Sequence, residues 1–205
     1  MDWRLFTMTT CFFWIKISDD APPDIKKELE ALGSISPVFG IQFMLHKGLR
    51  YIPTIIAWAH EFGGSYGDMG VKVRKKHRDL MLNVYQELEG KVNVKMDRYP
   101  SGAIQAVIWP CEILDLKEVQ EEAKLLATSD EILFSTKKVG DYWLVRKDFV
   151  DELELHRKMP RKECMERGVR IVNEKLREWG NYFLKALEVH RKYPNIRFWF
   201  LVTGG

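Results

Sequence analysis

Residues 63–78 combine glycines and cations in an arrangement that could bind an anion. Four glycines fall within residues 63–70, and five cations follow within residues 72–78, where a helical pattern begins. Glycine lets backbone N–H groups approach an anion closely, as phosphate-binding loops do. A cation in the first turn of a helix costs about 0.3–1 kcal/mol because the helix dipole is positive there, and a bound phosphate would reverse that cost. The candidate phosphate-binding residues here are Gly64, Ser65, Gly67, Lys72, Arg74, Lys75, Lys76 and Arg78.

The distribution of charge extends this hypothesis, although the net charge is only +3. Residues 72–98 carry 8 cations and 4 anions, residues 99–154 carry 6 and 12, and residues 155–205 carry 12 and 5. Lys91, Lys95 and the region 155–192 could therefore add contacts to DNA or RNA, the partner that we expect. Two alternatives stay open. In a homo-oligomer, the acidic residues 99–154 of one subunit would face a basic region of another subunit. Alternatively, the cations form a solvated helix surface.

The glycine-rich segment also allows an enzyme that binds a phosphorylated small molecule or nucleotide. His60 and Glu61 would then be the acid–base candidates. The segment matches neither the P-loop pattern nor G-x-G-x-x-G. His60 and Glu61 begin like the zinc-protease pattern H-E-x-x-H, but Gly64 stands where the second histidine is required, which excludes that class.

Cysteine and histidine spacing predicts no cofactor and no native metal site. The other histidines share no ligand spacing with one another or with Cys11, Cys111 and Cys164. Asp97 and Glu112 could hold a divalent ion together, but surface carboxylates at strand ends are the favoured interpretation. Three well-separated cysteines indicate buried thiols in a reducing cytoplasm rather than disulfides.

Composition indicates a soluble globular protein. Of 205 residues, 46% are hydrophobic and 30% are charged, which suits a single domain over residues 1–205, with a subdivision near residues 110–115 as the alternative. No uncharged apolar stretch is long enough to span a bilayer, so we expect no membrane association. Scarce glutamine beside many charged residues favours a thermophilic source.

Hydrophobic periodicity predicts an α+β fold. The first predicted element is a strand at 3–17, which is apolar on both faces and therefore expected to be central. A helix at 24–33, a strand at 38–45 and an ambiguous apolar segment at 51–62 follow. The remaining elements are a helix at 72–89 with a hairpin at 92–109, a helix at 116–127 with a hairpin at 131–147, a long helix from 161 to about 190, and a strand at 196–202. This order predicts a mixed or mostly antiparallel sheet with two helix–hairpin units, covered by the long C-terminal helix.

Two further interpretations concern the second half of the chain. The hairpin with Lys137 and Lys138 resembles the wing of a winged helix, but the helix before it is acidic at Glu118, Glu121 and Glu122, which a recognition helix rarely is. The apolar stripe of the long helix predicts core packing, with a dimer seam as the alternative. Gly168 and Gly180 interrupt that helix and could mark kinks or close packing.

Overall fold

The computed structural model describes residues 11–35, 49–62, 71–98, 100, 104–128 and 161–204. In chain order the elements are β1 (Cys11–Ile17), α1 (Pro23–Glu30), α2 (Tyr51–Phe62), α3 (Val71–Lys91), β2 (Lys95–Arg98), β3 (Ile104–Pro110), a 3-10 helix (Cys111–Asp115), α4 (Lys117–Thr128), α5 (Arg161–Lys192) and β4 (Phe198–Gly204). The predicted strand at 38–45 and hairpin at 131–147, with Lys137 and Lys138, lie outside the described residues. No helix in the described ranges is both long enough and apolar enough to cross a membrane.

The described strands form one antiparallel sheet in the order β1-β4-β3-β2. The α+β class and the antiparallel sheet are confirmed, and α3, β2 and β3 form the first predicted helix–hairpin unit. The central position expected for the first strand stays a prediction, because residues 36–48, which follow the partner of its other edge, lie outside the described structure. β1 lies at the end of the described sheet, with one further bridge from Phe13 to Ile35, and β4 and β3 occupy the centre.

One face of the sheet carries the hydrophobic core. In the strand register Phe13 stands opposite Val202, and Trp109 stands opposite Phe200, so these side chains project to the same side. Phe183 of α5 stacks there, with ring centroids 5.8 Å from Phe13 and 5.2 Å from Phe200. The prediction that the long C-terminal helix covers the sheet is therefore confirmed.

Local sequence signals account for the helix boundaries in the first part of the chain. α1 begins at Pro23, as predicted, because proline has no N–H to satisfy at the first helical position. The chain leaves α1 through Gly33, whose φ of 65° favours glycine. The ambiguous segment at 51–62 is helix α2, with Pro53 in its first turn. Ile52, Ile55 and Ile56 of α2 are fully buried.

Helices α4 and α5 pack against each other through Gly180. A Cβ atom at this position would lie 2.3 Å from the backbone nitrogen of Ala127 and 2.8 Å from the carbonyl oxygen of Ala123. Both atoms belong to the backbone of α4, so a side chain could be accommodated only if a helix moved. The close approach predicted for Gly180 is confirmed.

We predict that Gly180→Ala destabilises the protein by about 1–2 kcal/mol, because overpacking against the α4 backbone exceeds the gain in helix propensity. Gly90→Ala is the matched control, since a Cβ at Gly90 of α3 meets nothing within 4 Å and should add about 0.5–1 kcal/mol. Urea unfolding midpoints measure both effects. Equal midpoints for the two variants would contradict the close packing of α4 and α5.

Candidate functional site

The basic stretch at residues 72–78 lies at the start of α3. The helix begins at Val71, and its first turn contains no acidic residue. Lys72, Arg74, Lys75, Lys76 and Arg78 therefore all fall within the first eight residues of α3. Their side chains, and all of Gly64, Ser65 and Gly67, lie outside the described residues. The phosphate contacts themselves stay a prediction.

His60 and Glu61 occupy the last turn of α2, immediately before the glycine-rich segment. Their side chains are also outside the described part of the structure. The C-terminal end of a helix carries the negative end of its dipole and offers carbonyl groups rather than N–H groups. The backbone at this position consequently favours a cation over a phosphate, and the acid–base role of these two residues stays a prediction.

Lys91 lies at the opposite end of α3 from the basic stretch. Seventeen residues separate Arg74 from Lys91, which is roughly 25 Å along a helix axis. The Lys91 ammonium lies 3.0 Å from Glu87 and 2.8 Å from Glu118, and hydrogen bonds to Glu118 and Glu87 raise its pKa. Two carboxylates already match its charge, which argues against the predicted phosphate contact by Lys91.

Tyr51 completes this network between α2, α3 and α4. Its hydroxyl donates a 2.7 Å hydrogen bond to Glu87, and the Lys91 ammonium lies 5.5 Å from the centre of its ring. Hydrogen bonds from Tyr51 and Lys91 hold the pKa of Glu87 below its ordinary value, and the bond from Lys91 does the same for Glu118. The network therefore fixes the C-terminal end of α3 against its neighbours.

Lys95 has a different environment from Lys91. It is exposed on β2, and in the strand register it stands directly opposite Ile108 of β3. Ile108 in turn stands opposite Leu201 of β4, so Lys95 projects from the sheet face that is opposite to the Phe13–Phe200 core. Its position is compatible with the predicted phosphate contact, but it lies on another surface than Lys91.

A buried glutamate on α4 fixes the start of α2, and sequence analysis missed it. The Glu122 side chain is 8% exposed, and its two carboxylate oxygens accept hydrogen bonds from the N–H groups of Arg50, Tyr51 and Ile52 at 2.5–3.0 Å. Burial raises the Glu122 pKa, and the hydrogen bonds from these donors offset only part of that increase. In the sequence, Glu122 counts only as one of three acidic residues of this helix. No local signal could reveal its role, because the partners lie 70 to 72 residues away.

A cleft of about 390 Å³ gathers further titratable groups near the end of α5. Its lining residues are Cys111, Glu112, Asp115, His190, Arg191, Pro194 and Arg197. Asp115 faces His190, with its carboxylate oxygens 3.1 and 3.2 Å from Nε2, and Glu112 forms an ion pair with Arg197. These pairs join the 3-10 helix to the end of α5 and the start of β4.

The thiol and the imidazole Nδ1 of this cleft are both buried. Cys111 is 1% exposed, and burial is the main cause that raises its pKa to about 11, so the thiol stays protonated at neutral pH. His190 Nδ1 is buried without a hydrogen-bond partner in the described structure, so a substrate cannot reach it as a base. Glu112, which was considered as a metal ligand with Asp97, is engaged by Arg197.

Nothing in the described ranges forms a metal centre. No three His, Cys, Asp or Glu side chains among these residues converge closely enough to hold an ion. Comparison of the chain with protein-family models, with curated proteins and with solved structures yields no match.

We predict that Glu122→Gln destabilises the protein by about 1–3 kcal/mol, because one acceptor oxygen is replaced by an NH₂ group that faces backbone donors. Glu121→Gln, on the next residue of α4, is the control. The Glu121 side chain is 63% exposed, and Lys117 is its only ion-pair partner among the described residues, so its loss should cost less than about 0.5 kcal/mol. Urea unfolding midpoints at neutral pH measure both effects. Equal decreases in stability for the two variants would show that Glu122 does not hold the start of α2.

We also predict that Lys91→Gln lowers the stability by roughly 0.5–1 kcal/mol at pH 7, since it removes two partly exposed ion pairs. The folded-state pKa values of Glu87 and Glu118 are depressed, so this stability is present above their unfolded value of about 4.3 and is lost as the pH falls. The deficit of the variant should shrink towards pH 2–3. A constant deficit at every pH, or an equal one in the control Lys95→Gln, would contradict the network.

Proposed function

We propose that this chain binds DNA or RNA through phosphate contacts at the start of α3. The observation that carries the proposal is the position of the helix start: α3 begins at Val71, so five cations occupy its first eight residues without an acidic residue in the first turn. The free N–H groups and the positive dipole end add to the attraction for an anion at this place.

The arrangement of the cations favours a polynucleotide over a small phosphate compound. The five cations are spread over six residue steps of α3, which is roughly 9 Å along the helix axis. A single phosphate group does not span that distance. The five cations can contact successive phosphates of a nucleic-acid backbone, which carries charge along its whole length.

The cleft gives no comparable support to an enzymatic function. Its thiol is buried and protonated, and its carboxylates Glu112 and Asp115 already face Arg197 and His190. Lys91 is likewise engaged, so the proposal retains residues 72–78 as the main contact and Lys95 as an additional one.

We predict that the fourfold variant Arg74→Gln, Lys75→Gln, Lys76→Gln and Arg78→Gln loses most of its affinity for labelled oligonucleotides in fluorescence anisotropy. If these four cations contact phosphate, the affinity of the wild type should fall on the order of 50- to 150-fold between about 50 and 200 mM salt, and the variant should lose most of this dependence.

A charge-matched variant controls for the loss of four cations. Lys27, Lys117, Lys124 and Lys185 are exposed lysines on other helices, and their replacement by Gln changes the net charge equally. This control should bind like the wild type. Absence of wild-type binding at low salt, or equal loss in both fourfold variants, would refute the proposed contact.

A further inference from the structure

The middle of α3 is buried on one side and open on the other. Val84 and Leu88 are fully buried in the hydrophobic core. On the other side of the helix, Leu82 is 40% exposed, and Asn83 and Gln86 are exposed as well. Neither amide has a hydrogen-bond partner among the described residues. Both amides are therefore available to a partner outside the chain.

This surface differs in charge from the exposed surfaces of α4 and α5. On those helices, residues of opposite charge pair about one turn apart, as Lys117 does with Glu121 and Lys185 does with Glu188. Such pairs are typical of a helix surface that faces water. Residues 82–86 of α3 instead expose two amides and one apolar side chain, which are groups that can read the neutral edges of bases.

The amide surface continues the line of the basic helix start. Positions 72, 76, 79, 83 and 86 are spaced by three or four residues, so they follow one another along one side of α3. From position 79 to position 86 the helix rises roughly 10 Å, which corresponds to about three base pairs of B-DNA. One helix can therefore bring its basic start to phosphates and its middle to base edges.

We infer that α3 enters the major groove of double-stranded DNA, where Asn83 and Gln86 hydrogen-bond adenine edges and Leu82 contacts a thymine methyl group. The inference rests on the proposed function and specifies its substrate as a DNA duplex. A side-chain amide accepts a hydrogen bond from adenine N6 and donates one to N7, and the major groove displays both atoms. The major groove of B-DNA is wide enough for a helix, whereas that of duplex RNA is too narrow for side chains to read.

The anions of α3 limit which part of the helix can face DNA. Glu89 is exposed about one turn beyond Gln86, so the duplex must lie towards the basic start rather than towards the C-terminal end. Glu87 pairs with Lys91 at that end. Asp79 is exposed between the basic start and the amides. A carboxylate at this position can accept a hydrogen bond from cytosine N4, which also lies in the major groove.

The test is selection from a pool of DNA duplexes with a randomised core of about ten base pairs, which is one helical turn. We expect the wild type to enrich a motif that contains A·T pairs. Asn83→Ala and Gln86→Ala should each weaken the preference at one of these pairs roughly 5- to 150-fold, since each removes one bidentate contact. Both variants should bind unselected duplexes like the wild type and with the same salt dependence, because the phosphate contacts are unchanged.

Asn181→Ala is the matched control, because Asn181 is an exposed asparagine within α5. It should enrich the wild-type motif and should change the urea midpoint as Asn83→Ala does, since both gain helix propensity. A wild type that binds duplexes without enriching a motif, or a motif that Asn83→Ala and Gln86→Ala leave unchanged, would overturn the major-groove inference. The proposed function would stand if the fourfold α3 variant loses binding in the same assay. A wild type that binds no nucleic acid would overturn both.

Discussion

The buried carboxylate of Glu122 is the interaction on which the arrangement of the described helices depends. It accepts hydrogen bonds from three successive N–H groups, those of Arg50, Tyr51 and Ile52, at the start of α2. A helix start leaves such donors unsatisfied, and here the bonds from Tyr51 and Ile52 are buried, so that losing the carboxylate would leave buried donors unpaired. The three fully buried isoleucines of α2 are thereby held against the sheet and α4. Helix α2 in turn leads into residues 63–70 and the basic start of α3.

The far end of α3 is held by a second set of polar contacts in the same region. Lys91 joins Glu87 to Glu118, and Tyr51, whose N–H group bonds to Glu122, donates its hydroxyl to Glu87. These contacts hold the C-terminal end of α3. The basic start of the same helix lies roughly 25 Å away along its axis. Lys91 acts in the packing of three helices, and residues 72–78 remain the cations that carry the functional proposal.

Periodicity in the sequence predicts the elements better than their arrangement. The long helix, the first helix–hairpin unit and the close approach at Gly180 each follow from local spacing or from a single residue type. The position of β1 at the end of the described sheet depends on pairing between distant strands, which local patterns do not encode. Local sequence patterns likewise do not reveal the role of Glu122, because its hydrogen-bond donors lie about 70 residues away. For Lys91, the local spacing shows Glu87 four residues away on the same helix, but only the packing of α4 brings Glu118 beside it.

Hydrogen exchange of the backbone amides, with and without a single-stranded oligonucleotide at low salt, measures whether phosphates contact the start of α3. If they do, the amides of residues 71–78 should exchange more slowly in the complex. Residues 117–128 of α4 should exchange at the same rate in both states. Slower exchange confined to regions other than 71–78, in a sample that binds the oligonucleotide, would contradict the proposed phosphate contact.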